Sequence, residues 1–410
     1  MTQNIPRHPA SFGALPIAPN LLRMLEQRKL TSPTPIQHQA IPIALEGKDI
    51  IGIAQTGTGK TLAFGIPMLQ RLAQQGGRGL VIVPTRELAY QVEDALIPFA
   101  TPLNIRTAVF VGGASMERQL QMLRNDPRIL VATPGRLNDH LERRTVTLRE
   151  VRILVLDEAD QMLDMGFKPQ IERILHHVPK QRQTMLFSAT MPPEIVKLAA
   201  AHMDLPLRIE VAPAGTAAEK VEQELFIVKR EDKLALLEKL LGEYAGTVLV
   251  FSRTKHGAKK ITRMVRAMGH SAAEIHANRS LAQRREALEG FKTGKYRILV
   301  ATDIAARGID VTGIAVVINF DLPDDANDYV HRIGRTARAG REGRAISFAS
   351  PDQAAGVRGI ERLLRMPIRR LPLPTLPARR APPAASEEPA QHHRPRYPSA
   401  RGGHQRRRFR

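Results

Sequence analysis

The chain has 410 residues, enough for two or three domains with separate cores, which excludes a small disulfide-stapled scaffold. Lys and Arg number 61 against 40 Asp and Glu, and the resulting net charge of +21 favours a polyanionic partner. The absence of cysteine excludes disulfides, Cys-ligated zinc and thiol catalysis. No apolar run approaches the roughly 18 residues of a membrane helix and the start lacks a secretory signal, so we expect a cytoplasmic protein without membrane contact.

Short apolar, β-branched runs alternate with helix-length segments along the chain. This alternation predicts an α/β fold with doubly wound parallel sheets, whose ligands bind at the carboxyl ends of the strands. The runs are residues 50–53, 80–83, 129–131, 153–156, 248–251, 298–300 and 315–318.

A weakly patterned Pro/Gly-bearing stretch, residues 211–219, predicts a linker between an N-terminal domain (1–210) and a second domain (220–365). The hexapeptide RILVAT occurs at 128–133 and again at 297–302, which is compatible with internal duplication. Residues 366–410 hold 11 Arg and 9 Pro but only two acids, which predicts a disordered basic tail. That tail either holds RNA electrostatically or is merely solvated.

The segment AQTGTGKT, residues 54–61, follows the first strand and has the order of a phosphate loop. Gly57 and Gly59 allow backbone N–H groups to surround phosphates, Lys60 neutralises their charge, and Thr61 can bind Mg²⁺. Ala54 replaces the usual first glycine, and a plain Gly-rich turn is the alternative. The order of strand, loop, Lys-Thr and helix favours the nucleotide site.

The sequence DEAD, residues 157–160, follows the strand predicted at 153–156. Asp157 is the candidate ligand for Mg²⁺, and Glu158 is the candidate general base for the attacking water. Two acids that cap the next helix are the alternative for this motif alone. Its pairing with a phosphate loop favours the catalytic interpretation.

Three arginines recur at every third residue of HRIGRTAR, residues 331–338, and are expected to share one helical face. Arg335 and Arg338 are candidate arginine fingers that stabilise the transferring phosphoryl group when a second lobe closes. Arg332 completes the row. Spacing alone leaves a solvated basic helix or a simple RNA-binding patch equally open.

These motifs occur together with six others, and the ordered set resembles the DEAD-box family of ATP-dependent RNA helicases, most closely its bacterial RhlE-type subgroup, over residues 12 to about 350. The others are PTPIQ (33–37), PTREL (84–88), Gly112-Gly113, TPGR (133–136), SAT (188–190) and ATDIAARGID (301–310). The resemblance implies two tandem RecA-like domains, ATP with Mg²⁺, and single-stranded or short duplex RNA bound without sequence preference.

The resemblance also implies roles for single residues. Gln37 reads the adenine edge, Phe12 packs on the base, and Asp310 contacts the ribose. The remaining ATP-binding positions are Thr56, Gly57, Thr58, Gly59, Lys60 and Thr61. The residues implied to couple the ATP and RNA sites are Ser188, Thr190, Asp160 and His331. The implied RNA-binding residues are Thr85, Arg86, Gly112, Gly113, Thr133, Arg136, Arg253, Thr302 and Arg307.

Taken singly, several of these residues have ordinary explanations: a turn before a helix for PTPIQ, a core position for Phe12, helix capping for Ser188 and Thr190, and a routine turn for TPG. The sequence also departs from the family pattern without losing a catalytic charge. The departures are Lys29, Ala277, Leu281 and Ala337.

The predicted function is local, non-processive unwinding or remodelling of RNA by two lobes that close over ATP and RNA. An ATP-gated RNA clamp with little unwinding is the first alternative, and a DNA helicase or unrelated nucleotide hydrolase is the second. We expect a monomer in the bacterial cytoplasm, with ribosomal precursor particles or RNA-decay proteins as partners.

Overall fold

The computed structural model describes residues 11–55, 57–211, 221–306, 314–336 and 343–377. These residues form two seven-stranded sheets in which every strand pair is parallel. The first sheet has the order β3-β4-β2-β5-β6-β1-β7. Its strands are β1 (Ile50–Ile53), β2 (Arg78–Ile82), β3 (Thr107–Phe110), β4 (Ile129–Ala132), β5 (Val151–Leu156), β6 (Gln183–Ser188) and β7 (Leu207–Glu210).

The second sheet has the order β10-β11-β9-β12-β13-β8-β14, which is the first order with every strand number raised by seven. Its strands are β8 (Val221–Ile227), β9 (Val248–Phe251), β10 (Ala272–Ile275), β11 (Ile298–Ala301), β12 (Val316–Asn319), β13 (Gly343–Ala349) and β14 (Arg369–Leu371). The two RILVAT copies form β4 and β11, which occupy the same place in the two sheets. The two lobes therefore share one topology, which is compatible with the internal duplication.

Helices connect the strands and cover the sheets. Those of the first lobe are α1 (Pro19–Gln27), α2 (Pro35–Leu45), α3 (Lys60–Gln75), α4 (Arg86–Ala100), α5 (Met116–Leu123), α6 (Pro134–Glu142), α7 (Ala159–Asp164), α8 (Lys168–His177) and α9 (Pro193–His202). Those of the second lobe are α10 (Lys233–Glu243), α11 (Lys255–Ala267), α12 (Leu281–Lys292), α13 (Asp303–Ala306), α14 (Ala326–Ile333) and α15 (Ala354–Leu364).

The central strands are buried on both faces because helices cover both sides of each sheet. In β4 and β11 all four residues of the sequence ILVA are buried. Parallel strands covered on both faces are expected to be near-continuous apolar runs, which explains why the sequence identified these strands. The α/β prediction of two tandem RecA-like domains is confirmed, and the carboxyl ends of each sheet carry the loops that matter for function.

Several elements were not predicted, and one boundary was wrong. Edge strand β7, with the sequence LRIE, exposes three of its four residues and has no apolar run to mark it. The predicted disordered tail starts too early, because β14 pairs with β8 and Ile368 is buried. Residues 378–410 of that tail, and 212–219 of the predicted linker, lie outside the described residues. None of the helices described is long and apolar enough to cross a membrane.

Candidate active site

The phosphate loop joins β1 to α3 at the carboxyl edge of the first sheet. Gly57 and Gly59 adopt φ angles of +85° and +90°, a region that side chains rarely tolerate. The Thr58 hydroxyl donates a 2.7 Å hydrogen bond to the carbonyl of Gln55, and Lys60 is the first residue of α3. Backbone N–H groups at this helix start face a ligand position that suits anions. Thr56 lies outside the described residues.

Gln37 connects the phosphate loop to the start of α2. Its amide nitrogen donates to the carbonyl of Gly59 (3.0 Å), while its amide oxygen accepts from the backbone N–H of Thr34 (2.9 Å). The second bond belongs to a capping box, a signal present in the sequence TPIQ that the motif comparison overlooked. Phe12 is 3% exposed and packs in the core of the first lobe, so its ordinary core role is realised in this structure.

Lys60 and Asp157 meet below the phosphate loop. The ammonium nitrogen of Lys60 lies 3.9 Å from a carboxylate oxygen of Asp157, and both side chains are at least 95% buried. The Lys60 ammonium makes no hydrogen bond among the described residues. Burial raises the pKa of Asp157 to about 6, although the Lys60 charge opposes that shift. A buried ammonium without a hydrogen bond and a buried carboxylate whose pKa is raised suit a phosphate and a cation.

Glu158 is held in an uncommon backbone conformation. Its φ of +53° and ψ of +50° place a non-glycine residue in the left-handed region, directly before α7. Its N–H donates a 3.0 Å hydrogen bond to a carboxylate oxygen of Asp157. This turn lets two consecutive acids point in different directions from one strand end, as separate metal-binding and base roles require.

The second lobe has a lysine and an aspartate at the corresponding positions, and there the two side chains are hydrogen-bonded. Lys233 begins α10 after β8, as Lys60 begins α3 after β1, and Asp321 follows β12 as Asp157 follows β5. The Lys233 ammonium donates to the carbonyl of Phe320 (2.7 Å) and to Asp321 (3.2 Å). The Lys233 ammonium is therefore hydrogen-bonded within its own lobe, whereas the Lys60 ammonium makes no hydrogen bond among the described residues.

The candidate coupling residues of the first lobe form one hydrogen-bonded cluster. One carboxylate oxygen of Asp160 accepts from the backbone of Ala189 (3.1 Å), from the backbone of Thr190 (2.9 Å) and from the Thr190 hydroxyl (2.9 Å). The Ser188 hydroxyl accepts from the Asp160 N–H at 3.3 Å. The loops after β5 and β6 are thereby tied together. His331 lies on α14 of the second lobe, and within the described parts of the chain no hydrogen bond joins it to Asp160.

The candidate RNA contacts of the first lobe gather at the carboxyl ends of β2, β3 and β4. A Cβ at Gly113 would overlap the Arg86 guanidinium, and Gly113 has a φ of +75°, so this close approach requires glycine. Arg136 donates to the carbonyl of Ala114 at 3.1 Å and so reaches the same loop. Gly112 lies beside Arg86, whereas Thr85 and Thr133 precede α4 and α6. Two guanidinium groups thus border a loop of small residues.

The second lobe contributes Arg253 and Thr302 at the ends of β9 and β11. Arg253 is exposed, and its guanidinium reaches the carbonyl of Leu322 (3.2 Å) and the carboxylate of Asp324 (3.3 Å). Arg335 is buried, and its Nε donates to the carbonyl of His331 at 3.3 Å. Arg307, Asp310, Ala337 and Arg338 lie outside the described residues.

The predicted common helical face of the three arginines is wrong for Arg332 and Arg335. Helix α14 ends at Ile333, so Arg335 lies in the following turn. Arg332 is 2% exposed and pairs with Asp303 through two hydrogen bonds of 2.5 and 2.8 Å. Arg332 therefore supports the fold of the second lobe, and Asp303 is its partner, which no spacing rule indicated.

Sequence reasoning also missed a contact between the lobes. A guanidinium nitrogen of Arg284, on α12, lies 2.9 Å from a carboxylate oxygen of Glu87, on α4, and both side chains are at least 90% buried. The guanidinium carbon of Arg285 lies 4.3 Å from the centre of the Tyr90 ring. The motif PTREL contains Glu87, but nothing in the sequence indicates its partner.

A phosphate loop with a buried lysine that makes no hydrogen bond among the described residues, an Asp-Glu pair and a second RecA-like lobe together define a two-lobed ATPase. The family model described as DEAD/DEAH box helicase matches residues 34–198, and the model described as Helicase conserved C-terminal domain matches residues 232–340. The chain belongs to the DEAD-box family of ATP-dependent RNA helicases.

Named relatives agree with this assignment. The chain is 46% identical over 342 residues to "ATP-dependent rRNA helicase RRP3" of Debaryomyces hansenii, covering 82% of this chain and 72% of the relative. It is 42% identical over 367 residues to "ATP-dependent RNA helicase CshA" of Listeria monocytogenes, covering 89% of this chain and 71% of the relative. The solved structure of S. cerevisiae Dbp5 bound to RNA and ADP BeF3 matches with a TM-score of 0.79 at 30% identity, covering 88% of this chain and 96% of that one.

Proposed function

We propose that ATP and RNA together draw the two lobes shut, that closure bends one strand out of a short RNA duplex, and that hydrolysis reopens the cleft. The observation that carries this proposal is the contrast between the two lysines. Lys60 is buried without a hydrogen bond among the described residues, whereas its counterpart Lys233 is satisfied by Phe320 and Asp321. The carboxylate of Asp157, 3.9 Å away, does not replace the missing hydrogen bonds of this buried ammonium, and burial without them is costly, which favours the binding of an anion there.

In the first lobe we assign Lys60 to the terminal phosphates of ATP and Glu158 to the attacking water. Asp157 and the Thr61 hydroxyl would hold Mg²⁺, which would supply charge neutralisation between the phosphates. Their fit to the ion follows from the burial that raises the pKa of Asp157, because a bound cation relieves that unfavourable burial. Gln37 would bind the adenine edge and would connect that base to the phosphate loop through its hydrogen bond to the Gly59 carbonyl.

The remaining roles follow the positions of the residues. The Asp160–Thr190 cluster would link the ATP site to the RNA-facing loops, and Arg335 would approach the terminal phosphate from the second lobe. Arg86, Arg136 and Arg253 would hold the RNA backbone. Backbone contacts carry no base information, so binding should be independent of sequence.

The physiological substrate is proposed on a narrower basis. The relatives named rRNA helicase favour ribosomal precursor RNA. RNA-decay partners, a monomeric state, the RhlE-type subgroup and the bacterial cytoplasm stay predictions of the sequence.

Glu158→Gln tests the mechanism. We expect RNA-stimulated ATPase to fall by at least about 100-fold, because a general base contributes on the order of 10² to 10⁴ in rate, while ATP and RNA binding persist. Turnover is measured with RNA, with DNA and with neither. A variant that hydrolyses ATP normally with RNA contradicts the assigned base, and equal stimulation by DNA contradicts the RNA preference. Slow hydrolysis with tight ATP-dependent binding in the unmodified protein would instead indicate a clamp.

A further inference from the structure

Helix α11 exposes almost only basic side chains. Seven of its residues are exposed, and all but Ala267 are Lys, Arg or His. The six basic residues are Lys255, His256, Lys259, Lys260, Arg263 and Arg266. At 100° per residue, the seven exposed positions share one arc of about 140°, so they form a single stripe along the helix. We call these six side chains the basic stripe.

The stripe differs from the other helices of its lobe. Helix α12 also exposes charged residues, but Arg285 and Lys292 alternate there with Glu286 and Glu289. Mixed signs are the ordinary composition of a solvated helix face, whereas α11 contains no acid at all. Among the described residues, Lys260 and Arg263 have no ion-pair partner.

The stripe starts at the candidate RNA site. Arg253 immediately precedes Thr254, the residue whose hydroxyl caps α11. The helix then runs away from the carboxyl edge of the sheet over 13 residues, which is about 20 Å at 1.5 Å per residue. The exposed side chains include no Phe, Tyr or Trp, and His256 carries the one aromatic ring among them, so phosphates are the main groups that the stripe can bind.

We propose that the basic stripe of α11 is a second RNA-binding surface, which holds the phosphate backbone of the double-stranded arm next to the strand bound between the lobes. A stiff duplex presents a phosphate about every 3.4 Å of each strand and so offers about six per strand along this helix. A rigid row of cations matches a rigid row of phosphates, whereas a flexible single strand would have to be ordered on it. The surface would anchor the substrate while the closing lobes distort its end.

The double variant Lys260→Gln/Arg263→Gln tests this proposal in the full chain. Glutamine keeps helix propensity and removes only charge. The first probe is a short single-stranded RNA. The other probes carry the same RNA with an extension at its 5′ or its 3′ end, and that extension is either a single strand or a hairpin. Binding of each RNA is measured in the presence of a non-hydrolysable ATP analogue. Fluorescence anisotropy over a salt series gives the affinity and its salt dependence.

We expect the variant to bind the short strand like the unmodified protein and to bind one hairpin-extended RNA about 3- to 10-fold more weakly. The magnitude of the slope of log affinity against log salt should fall by up to about 1.8, because two phosphate contacts are lost. Thermal unfolding and ATPase stimulated by the short strand should be unchanged.

The matched control is Arg358→Gln/Arg362→Gln, which removes the same charge from exposed positions of α15, on the opposite face of the same sheet. The control should bind all RNAs normally. The proposal would be overturned in favour of general electrostatics if the control variant lost as much RNA affinity as the stripe variant. The same would follow if the stripe variant lost as much affinity for the short strand as for the hairpin-extended RNA. Loss only on the single-stranded extension would overturn the duplex assignment. Unchanged affinity for every RNA would overturn it altogether and leave an acidic protein as the partner of this surface.

Discussion

At the scale of single residues, the ATP site is built from charges that the fold alone does not favour. Asp157 is almost fully buried, and burial raises the pKa of its carboxyl to about 6, even beside Lys60. Such a residue is retained for a ligand rather than for stability, because ionising it inside the protein costs free energy that the unfolded chain does not spend. The nucleotide-free protein should therefore be stabilised when this acid is made neutral.

Asp157→Asn should abolish Mg²⁺-dependent ATP hydrolysis and yet stabilise the nucleotide-free protein near pH 8. Below about pH 4 the carboxyl is protonated in both the folded and the unfolded state, so the variant and the unmodified protein should be equally stable. Between pH 4 and 6 the unfolded state ionises first, and the unmodified protein loses stability as the pH rises. The difference should reach at most about 3 kcal/mol above pH 6, a value that already includes the attraction to Lys60.

Denaturant unfolding across this pH range measures the difference between the two proteins, so that other titrating groups cancel. Glu26→Gln, which neutralises an exposed acid on α1, should show no such trend. A variant less stable than the unmodified protein at pH 8 would show that the Lys60 contact outweighs burial.

At the scale of elements, the end of α14 separates two arginines that look equivalent in the sequence. Arg332 is the last but one residue of the helix and is buried against Asp303 and Asn319. Arg335 lies beyond the helix end, in the following turn, and is the residue that we propose to meet the phosphate. Periodicity cannot tell the two arginines apart.

Arg332→Gln should destabilise the second lobe by about 3 to 5 kcal/mol, because it leaves Asp303 without its buried partner. Arg335 is also buried, so Arg335→Gln should lower stability too, but by less than Arg332→Gln, while it should remove most RNA-stimulated turnover. Calorimetry combined with ATPase assays distinguishes the two. If Arg335→Gln unfolded as early as Arg332→Gln, the assignment of Arg335 to chemistry would lose its basis.

Which elements could be predicted follows from the same physics. Strands such as β1 and β5 were found because burial on both faces demands continuous apolar residues, and the loops after them were found because phosphate chemistry fixes glycine and lysine at set spacings. Edge strands β7 and β14, and the end of α14, depend on tertiary pairing and left no local pattern. The capping box in the sequence indicates the hydrogen bond between Gln37 and Thr34. It does not indicate the bond between Gln37 and Gly59, because these residues lie 22 positions apart in the chain.

At the scale of the whole molecule, the two lobes share one strand order but differ at the corresponding lysine. Lys233 is hydrogen-bonded within its lobe and Lys60 is not, which supports the proposal that the first lobe binds the phosphates and the second contributes arginines. The lobes contact each other through the buried pair of Glu87 and Arg284 and through Arg285 on the ring of Tyr90. Both contacts exist only while the lobes are together, so they favour closure over the open form.

Glu87→Arg and Arg284→Glu, each alone, should weaken ATP-dependent RNA binding by at least about 10-fold, because each places like charges in a buried interlobe contact. The combined exchange should recover much of the loss, and Arg285→Gln, which removes only the cation–π contact, should cost about 2- to 5-fold. Energy transfer between dyes on the two lobes reports closure directly, and RNA-free ATP binding serves as the control for an intact first lobe. Single variants that close as readily as the unmodified protein would show that the pair is incidental. A double exchange that stays as weak as the single variants would show that geometry, and not only charge, is required at this contact.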